Sequence, residues 1–357
     1  MAEKITRRSA LLAGTATAGS LLGASCINNQ PSGTTDKQSM DQAPLKNVWG
    51  EDFLMQWSPP DNLTRDLVPG NTHIRLSCSA HRMHYPKEGE SFGSIVKSIR
   101  DAGYTACETG SRGFEKVTDS EIKEMNSALK EHDVQFYTIH AWANLLDPDP
   151  QKQSDAIRHY IESIELAERF GLGFILTHTG GRSGEAKDRP HPLNWTKESW
   201  EMSVNNIKEV LKNTSGSKIA LAFEAVNSCN NNTPQSHVRL KEDVGDDRVK
   251  VMLDPSNMLH AGTMFRTTEL INECFDLLGE DIMYAHAKDQ TWSRMMPSIE
   301  GAILGEGTMD YETYLVRLSR MKYPRVLLLE HLPLEQYPPS KKYLEDTAAK
   351  LGVKIYS

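Results

Sequence analysis

Lys218-Ile-Ala-Leu-Ala-Phe-Glu224, Val249-Lys-Val-Met-Leu-Asp254, Ile282-Met-Tyr-Ala-His286 and Val326-Leu-Leu-Leu-Glu330 share one plan. Each is a short apolar run that stops at a carboxylate or an imidazole. Runs of this length with little polar alternation suit strands buried on both faces of a parallel sheet. Four earlier runs match them: His73–Cys78, Thr105–Thr109, Gln135–His140 and Phe174–His178. Between and after the eight runs lie stretches with the spacing of amphipathic helices. These are Ser91–Ala102, Asp119–Glu131, Ser154–Phe170, Trp195–Leu211, Ser236–Val244, Thr267–Leu278, Tyr311–Met321 and Ser340–Leu351. In the second, Ile122, Met125 and Leu129 form one stripe; in the third, Ile157, Ile161, Ile164 and Ala167 do. Eight strand–helix units in about 285 residues is the count and length of a closed barrel. An open doubly wound sheet would more often carry a Gly-rich phosphate turn after its first strand. Here Ser79-Ala80-His81-Arg82 follows that strand, and no P-loop or GxSxG elbow occurs elsewhere. The sequence therefore predicts an α/β fold, a (β/α)8 TIM barrel.

In such a barrel the active site forms at the C-terminal ends of the strands. The fifth to eighth strands end in Glu224, Asp254, His286 and Glu330. One carboxylate after an apolar run is commonly a helix cap or a surface residue. Four in succession at equivalent positions converge on the barrel axis. Three carboxylates there repel one another unless a cation neutralises them. The O,O,O,N set predicts one divalent metal ion: Mn²⁺, Mg²⁺, Co²⁺ or Zn²⁺. Glu108, His140 and His178 close the second, third and fourth runs and are further site candidates.

The chain has 357 residues, of which 38% are hydrophobic and 25% charged. That composition suits a soluble globular protein and excludes a multi-span membrane protein or a disordered chain. Net charge is −8. The first 26 residues hold three cations against one acid, so the remainder carries −10. So acidic a body binds phosphate backbones poorly, and nucleic acid is not an expected partner. The N-terminus, MAEKITRRSALLAGTATAGSLLGASC, reads as a secretory signal. Its Arg7-Arg8 pair resembles a twin-arginine signal. Gly23-Ala24-Ser25-Cys26 resembles a lipoprotein cleavage box. The expectation is an exported protein, periplasmic or lipid-anchored to a bacterial membrane through Cys26, with no other membrane contact. Residues 27–70 read as a tether and irregular lead-in, and 71–357 as the barrel. No CxxC pair occurs among Cys78, Cys107, Cys229 and Cys274. The first two lie in apolar runs and read as buried small hydrophobes.

Phe223-Glu224-Ala-Val-Asn227, Leu253-Asp254-Pro-Ser-Asn257, His286-Ala-Lys288-Asp289, Gly305-Glu306-Gly307-Thr-Met-Asp310 and Leu329-Glu330 form a further pattern. It resembles the xylose-isomerase-like TIM-barrel superfamily, also called the sugar phosphate isomerase/epimerase family, over residues 73–355. The resemblance implies that Glu224, Asp254, His286 and Glu330 hold the metal and that the substrate is a small carbohydrate. Asn257 stands where the family's epimerases carry a histidine, and His260, one turn on, is the substitute. Arg294 corresponds to the arginine that follows the ligand histidine. The expected reaction is proton abstraction next to a carbonyl, with a metal-stabilised enediolate and with Glu224 and Glu330 removing and returning the proton. His140, His178, Lys288 and Glu108 are expected to contact substrate. Asp289, Glu306 and Asp310 are expected to brace the loop after the seventh strand. Two alternatives stand beside this reading. One is a 3-keto-glycoside lyase or hydratase using the same metal and glutamates, which an export signal favours. The other is a non-catalytic sugar-binding lipoprotein. Specificity is expected to lie in loops 180–194 and 291–300. Oligomeric state is left open, a homo-oligomer included.

Overall fold

The computed structural model describes residues 65–184, 189–296, 298–322 and 325–356. The signal segment, Cys26 and nearly all of the lead-in lie outside them. In chain order the strands are β1 (Ile74–Cys78), β2 (Ala106–Gly110), β3 (Gln135–His140), β4 (Phe174–Thr177), β5 (Ala220–Glu224), β6 (Val249–Leu253), β7 (Ile282–Ala287), β8 (Asp289–Trp292), β9 (Ile299–Ala302), β10 (Arg325–Leu329) and β11 (Ile355–Tyr356). The helices are α1 (Phe92–Asp101), α2 (Asp119–Glu131), α3 (Pro150–Phe170), α4 (Lys197–Asn213), α5 (Pro234–Val244), α6 (Thr267–Leu278), α7 (Tyr311–Ser319) and α8 (Tyr337–Leu351). All eight expected strands and helices are present, their ends shifted by a few residues. Helix starts follow local chemistry: Ser91, Thr118 and Thr233 cap α1, α2 and α5 with reciprocal capping boxes.

The parallel strands run in the order β1-β10-β7-β6-β5-β4-β3-β2, with β11 added beside β1. The Thr105 N–H donates to Leu76 O at 3.2 Å, joining β2 to β1 and closing the sheet into a barrel. Side chains alternate between two apolar layers. One layer fills the barrel: Ala106, Phe174, Leu176, Ala220, Ala222, Met252, Tyr284, Val326 and Leu328. The other, including Leu221, Phe223, Leu253, Leu327 and Leu329, packs against the helices. Because the strand period is two, the inward set continues 222→224, 252→254, 284→286 and 328→330. The four candidate ligands are thus the next inward positions above the packed interior.

Two features add to the sequence reading. Loop 291–300, expected to lack regular structure, is mostly a hairpin in which β8 and β9 pair antiparallel, Asp289 opposite Ala302 and Trp292 opposite Ile299. Its residues are largely exposed, so no buried face marks it in sequence. Residues 65–70, the end of the lead-in, have no regular secondary structure and are held by contacts to α7 and its N-cap. Arg65 pairs with Asp310 at 3.0 Å and Glu312 at 2.9 Å, and the Gly70 N–H donates to Ser319 Oγ. Cys78, Cys107, Cys229 and Cys274 are buried, and none is in a disulfide among the described residues. Among the described residues no helix is long and apolar enough to cross a membrane.

Candidate metal centre

Glu224, Asp254, His286 and Glu330 each offer one ligand atom, and these atoms lie within 4.8 Å of one another, all four residues buried. His286 Nδ1 is 3.0 Å from Glu330 Oε2, 3.5 Å from Asp254 Oδ2 and 3.7 Å from Glu224 Oε1. The Lys288 ammonium joins the same three carboxylates, at 2.7 Å from Asp254 Oδ2, 2.9 Å from Glu330 Oε2 and 3.7 Å from Glu224 Oε1. Neither ring nitrogen of His286 nor Asp254 Oδ2 makes a well-directed hydrogen bond, although all three atoms are fully buried. Buried polar atoms without such bonds are costly. Three carboxylate oxygens and one imidazole nitrogen at this spacing fit a divalent cation.

The electrostatics follow from crowding. Burial pushes the Glu224 carboxyl up, Lys288 and His286 pull it back, and it settles at about 7. Burial also raises Asp254, but Lys288 and His286 outweigh it and hold that acid at about 2. Burial acts likewise on Glu330, which His286 and Lys288 bring well below the usual range. Burial lowers the His286 imidazole, yet Glu330, Asp254 and Glu224 together push it up to about 10. A proton on His286 is thus the metal-free protein's own counter-charge. With its ordinary value of 6.5 raised to about 10, the stability this group lends the metal-free fold is complete below pH 6.5 and lost as pH rises through 10. Metal binding has the opposite sense, because the ion must displace that proton. Calorimetry in buffers of different ionisation enthalpy should show at least about one proton released per ion near neutral pH, with affinity rising as pH rises. Binding without proton release would overturn this account.

Supporting contacts fix each member. Asn257 Nδ2 donates to Glu224 Oε1 at 2.5 Å, and Asn257 Oδ1 lies 3.4 Å from the Lys288 ammonium. The Lys288 carbonyl accepts from Ser256 and Tyr311 hydroxyls, both at 2.8 Å. The Tyr314 hydroxyl donates to His286 O and Leu253 O, tying β7 to β6. The Asp289 carboxylate accepts from the N–H groups of Gln290, Gly305, Gly307 and Met309 at 2.9–3.1 Å. This explains the two glycines of Gly305-Glu306-Gly307. A Cβ on Gly307 would sit 2.1 Å from Asp289 Oδ1, and Gly305, at φ +91°, would drive one to 2.5 Å from the Tyr343 ring. Asp310 caps α7 through the Thr313 N–H and also takes the Thr268 hydroxyl. Asp289 and Asp310 thus brace the loop as expected, whereas Glu306 is exposed beside the hairpin.

A second buried array lies across the mouth. Glu108, at 0% exposure, has Oε2 2.7 Å from His140 Nε2 and 2.9 Å from the Tyr284 hydroxyl, and Oε1 3.2 Å from Arg82 Nε. Burial raises its pKa, but His140 and Arg82 bring it below the usual range. The Trp142 indole N–H donates to His140 Nδ1 at 2.9 Å. An indole only donates, so Nδ1 is the acceptor and Nε2 carries the proton toward Glu108. His140 therefore faces Glu108 through Nε2 and Trp142 through Nδ1. His178 is buried and stacked on Trp142, ring centroids 5.2 Å apart.

Two further candidates, His260 and Arg294, are exposed. His260 is exposed and its Nδ1 takes the Gly262 N–H. Arg294 is exposed at the hairpin and lines a different cleft of about 320 Å³ with Trp292, Glu300 and Gln336. Residues not singled out in sequence are Arg82, Tyr284 and His331. His331 follows Glu330 at φ +58°, a backbone state uncommon for a side-chain-bearing residue, and holds Nε2 3.6 Å from Glu330 Oε1.

The sequence profile of the family described as xylose isomerase-like TIM barrel matches residues 96–349. The chain belongs to that family. D-psicose 3-epimerase of Ruminiclostridium cellulolyticum is 24% identical over 174 residues, which cover 46% of this chain and 57% of the epimerase. The match thus spans a little over half of that relative's length. Two solved structures show the shared fold. A xylose isomerase-like TIM barrel protein from Mycobacterium smegmatis, in complex with magnesium, has a TM-score of 0.57 and 15% identity, covering 78% of this chain and 96% of that one. The 3-keto-D-glucoside 4-epimerase of E. coli, in apo form, has a TM-score of 0.55 and 15% identity, covering 78% of this chain and 99% of that one.

Proposed function

We propose that the protein is a metal-dependent sugar isomerase or epimerase. The observation that carries this reading is the buried convergence of Glu224, Asp254, His286 and Glu330 at the C-terminal ends of adjacent strands, with atoms within 4.8 Å. The partial match to D-psicose 3-epimerase supports it. A divalent ion held by these four residues would supply Lewis-acid stabilisation of the negative charge that develops on sugar oxygens when an adjacent C–H proton leaves. Strand order sets the division of labour. Glu224 and Glu330 close the two ends of the arc β5-β6-β7-β10, with Asp254 and His286 between them. One carboxylate takes the proton and the other returns it, either to the opposite face of the same carbon or to its neighbour. The His286 imidazole and the Lys288 ammonium keep Glu330 ionised. Burial of all five side chains excludes water from the proton in transit.

The test is a screen of protein loaded with Mn²⁺, Mg²⁺, Co²⁺ or Zn²⁺ against free aldoses, ketoses and 3-keto-glycosides, followed by NMR in D₂O. The expected result is metal-dependent interconversion of free sugars with solvent deuterium on the carbon next to the carbonyl. Release of an aglycone with an unsaturated 3-keto sugar would replace this reading with the lyase. No conversion by any loaded form would leave binding alone.

A further inference from the structure

Arg82 has no place in the reaction as described, yet it is the side chain that connects the two buried arrays. It follows β1, which lies between β10 and the β2 seam. Its Nε is 3.2 Å from Glu108 Oε1, and its Nη2 is 3.5 Å from Glu330 Oε1. The other oxygen of Glu330, Oε2, faces His286 Nδ1 at 3.0 Å and Lys288 at 2.9 Å. The two oxygens of one carboxylate are therefore divided, Oε2 to the metal centre and Oε1 to Arg82.

Glutamate geometry alone does not enforce such a division. The last torsion of the side chain is broad and roughly two-fold, so the carboxylate plane is set by its contacts. On the Oε1 side the other contact is His331, at 3.6 Å and 72% exposed, a weak restraint. Arg82 is better anchored, although its own side chain is 37% exposed. Its Nε forms an ion pair, without a well-directed hydrogen bond, with Glu108, which is completely buried and held in turn by Tyr284 and by His140, whose tautomer Trp142 sets. Trp142, His140, Glu108, Arg82 and Glu330 form one chain of contacts from β3 through β2 and β1 to β10. Backbone pairing is thinnest there, since β1 and β2 share no ladder.

We propose that Arg82 is a positioning residue that holds Glu330 Oε1 away from the metal centre, so that Oε2 alone faces it. The rate consequences rest on the proposed isomerase reaction; the metal-site consequences do not. A guanidinium spans two carboxylates with separate nitrogens held in a rigid plane, whereas an ammonium reaches both only from a single flexible point. Freed of Arg82, Glu330 would present both oxygens to the centre and lose its fixed aim as a proton carrier.

The experiment compares wild type, Arg82→Met and Arg82→Lys, each loaded with Mn²⁺. Three quantities are read on the same samples: ions per chain, the Mn²⁺ paramagnetic resonance spectrum, and steady-state kinetics. All three proteins should hold the same complement of Mn²⁺. Both variants should show an altered spectrum, because the ligand field at the ion changes. Turnover should fall about 10²-fold in Arg82→Met with KM changed little, the size expected of a small displacement of a reacting group. Arg82→Lys should recover part of that loss, having the charge without the fork. If Arg82→Met does not fold, Arg82→Lys still decides through its spectrum. A wild-type spectrum in the folded variants would overturn the proposal whatever the turnover. So would a raised KM with unchanged kcat, which would make Arg82 a substrate contact. If no sugar reaction is found for wild type, the spectrum alone decides, and the failure belongs to the reaction.

Discussion

His286→Ala is expected to strip the protein of its divalent ion and to leave the barrel folded. His286 supplies the one nitrogen of the four-atom set, with Nδ1 within 3.0–3.7 Å of all three carboxylates. Alanine removes that donor, and the neighbouring Lys288 ammonium has no lone pair to give in its place. Substitutions that merely touch a ligand from behind cost about 10–100-fold in metal affinity, so loss of a ligand should cost at least about 10²-fold. Turnover should fall with occupancy. The fold should persist because the packed layer of Ala222, Met252, Tyr284 and Leu328 lies one inward step below the ligands and is untouched. The apo variant should melt lower than apo wild type at neutral pH. It loses the buried imidazolium that offsets Glu330, Asp254 and Glu224. Elemental analysis and thermal melts on the same preparation decide. Full metal occupancy in His286→Ala would remove this residue from the centre.

The ligand set was legible in sequence for a physical reason. A strand buried on both faces admits a charged residue only where it ends, and period two then carries inward-facing positions to the barrel mouth. Glu224, Asp254, His286 and Glu330 obey that rule, whereas Glu108 lies in the middle of β2 and is stabilised by its partners His140, Tyr284 and Arg82. What those residues touch was not legible. His140 also ends a strand, but Trp142, two residues on, turns back and occupies its Nδ1. Arg82 ends no apolar run, and its partners Glu108 and Glu330 are distant in sequence, so no local spacing marks it. The exposure of His260 and Arg294 was not legible for a related reason. A motif offset fixes a position along the chain, not the path of a loop. The 3-10 turn at Pro255–Met258 and the β8–β9 hairpin take these two side chains to exposed positions. The pattern His286-Ala-Lys288-Asp289 with Gly305-Glu306-Gly307 was visible as a motif, and its cause was not. Its glycines clear space for a carboxylate that collects four N–H groups.

Glu330→Gln should reduce turnover by about 10³-fold or more and Glu224→Gln by about 10²-fold, within the range for loss of a general acid or base. The asymmetry comes from their surroundings. In the metal-free protein Glu330 is held well below the usual carboxylate range by His286 and Lys288, and Lys288 stays beside it when an ion displaces the His286 proton. Glu224 in the same metal-free centre is pushed up to about 7 by burial and accepts the Asn257 amide, so it is the more readily protonated of the two. Glutamine mimics that protonated form in shape and charge, and it should therefore injure Glu224 less than Glu330. In both variants the loss should fall on kcat more than on KM, because the missing step belongs to the transition state. Glutamine is also a poorer metal ligand, so ions per chain must be measured on each sample and rates expressed per bound ion. Exchange of solvent deuterium into unreacted sugar gives a second reading. The variant lacking the base should exchange nothing. The variant lacking the proton donor should still exchange, but convert slowly. If both variants retain wild-type exchange and turnover per bound ion, neither glutamate carries the proton and the chemistry lies elsewhere in the mouth.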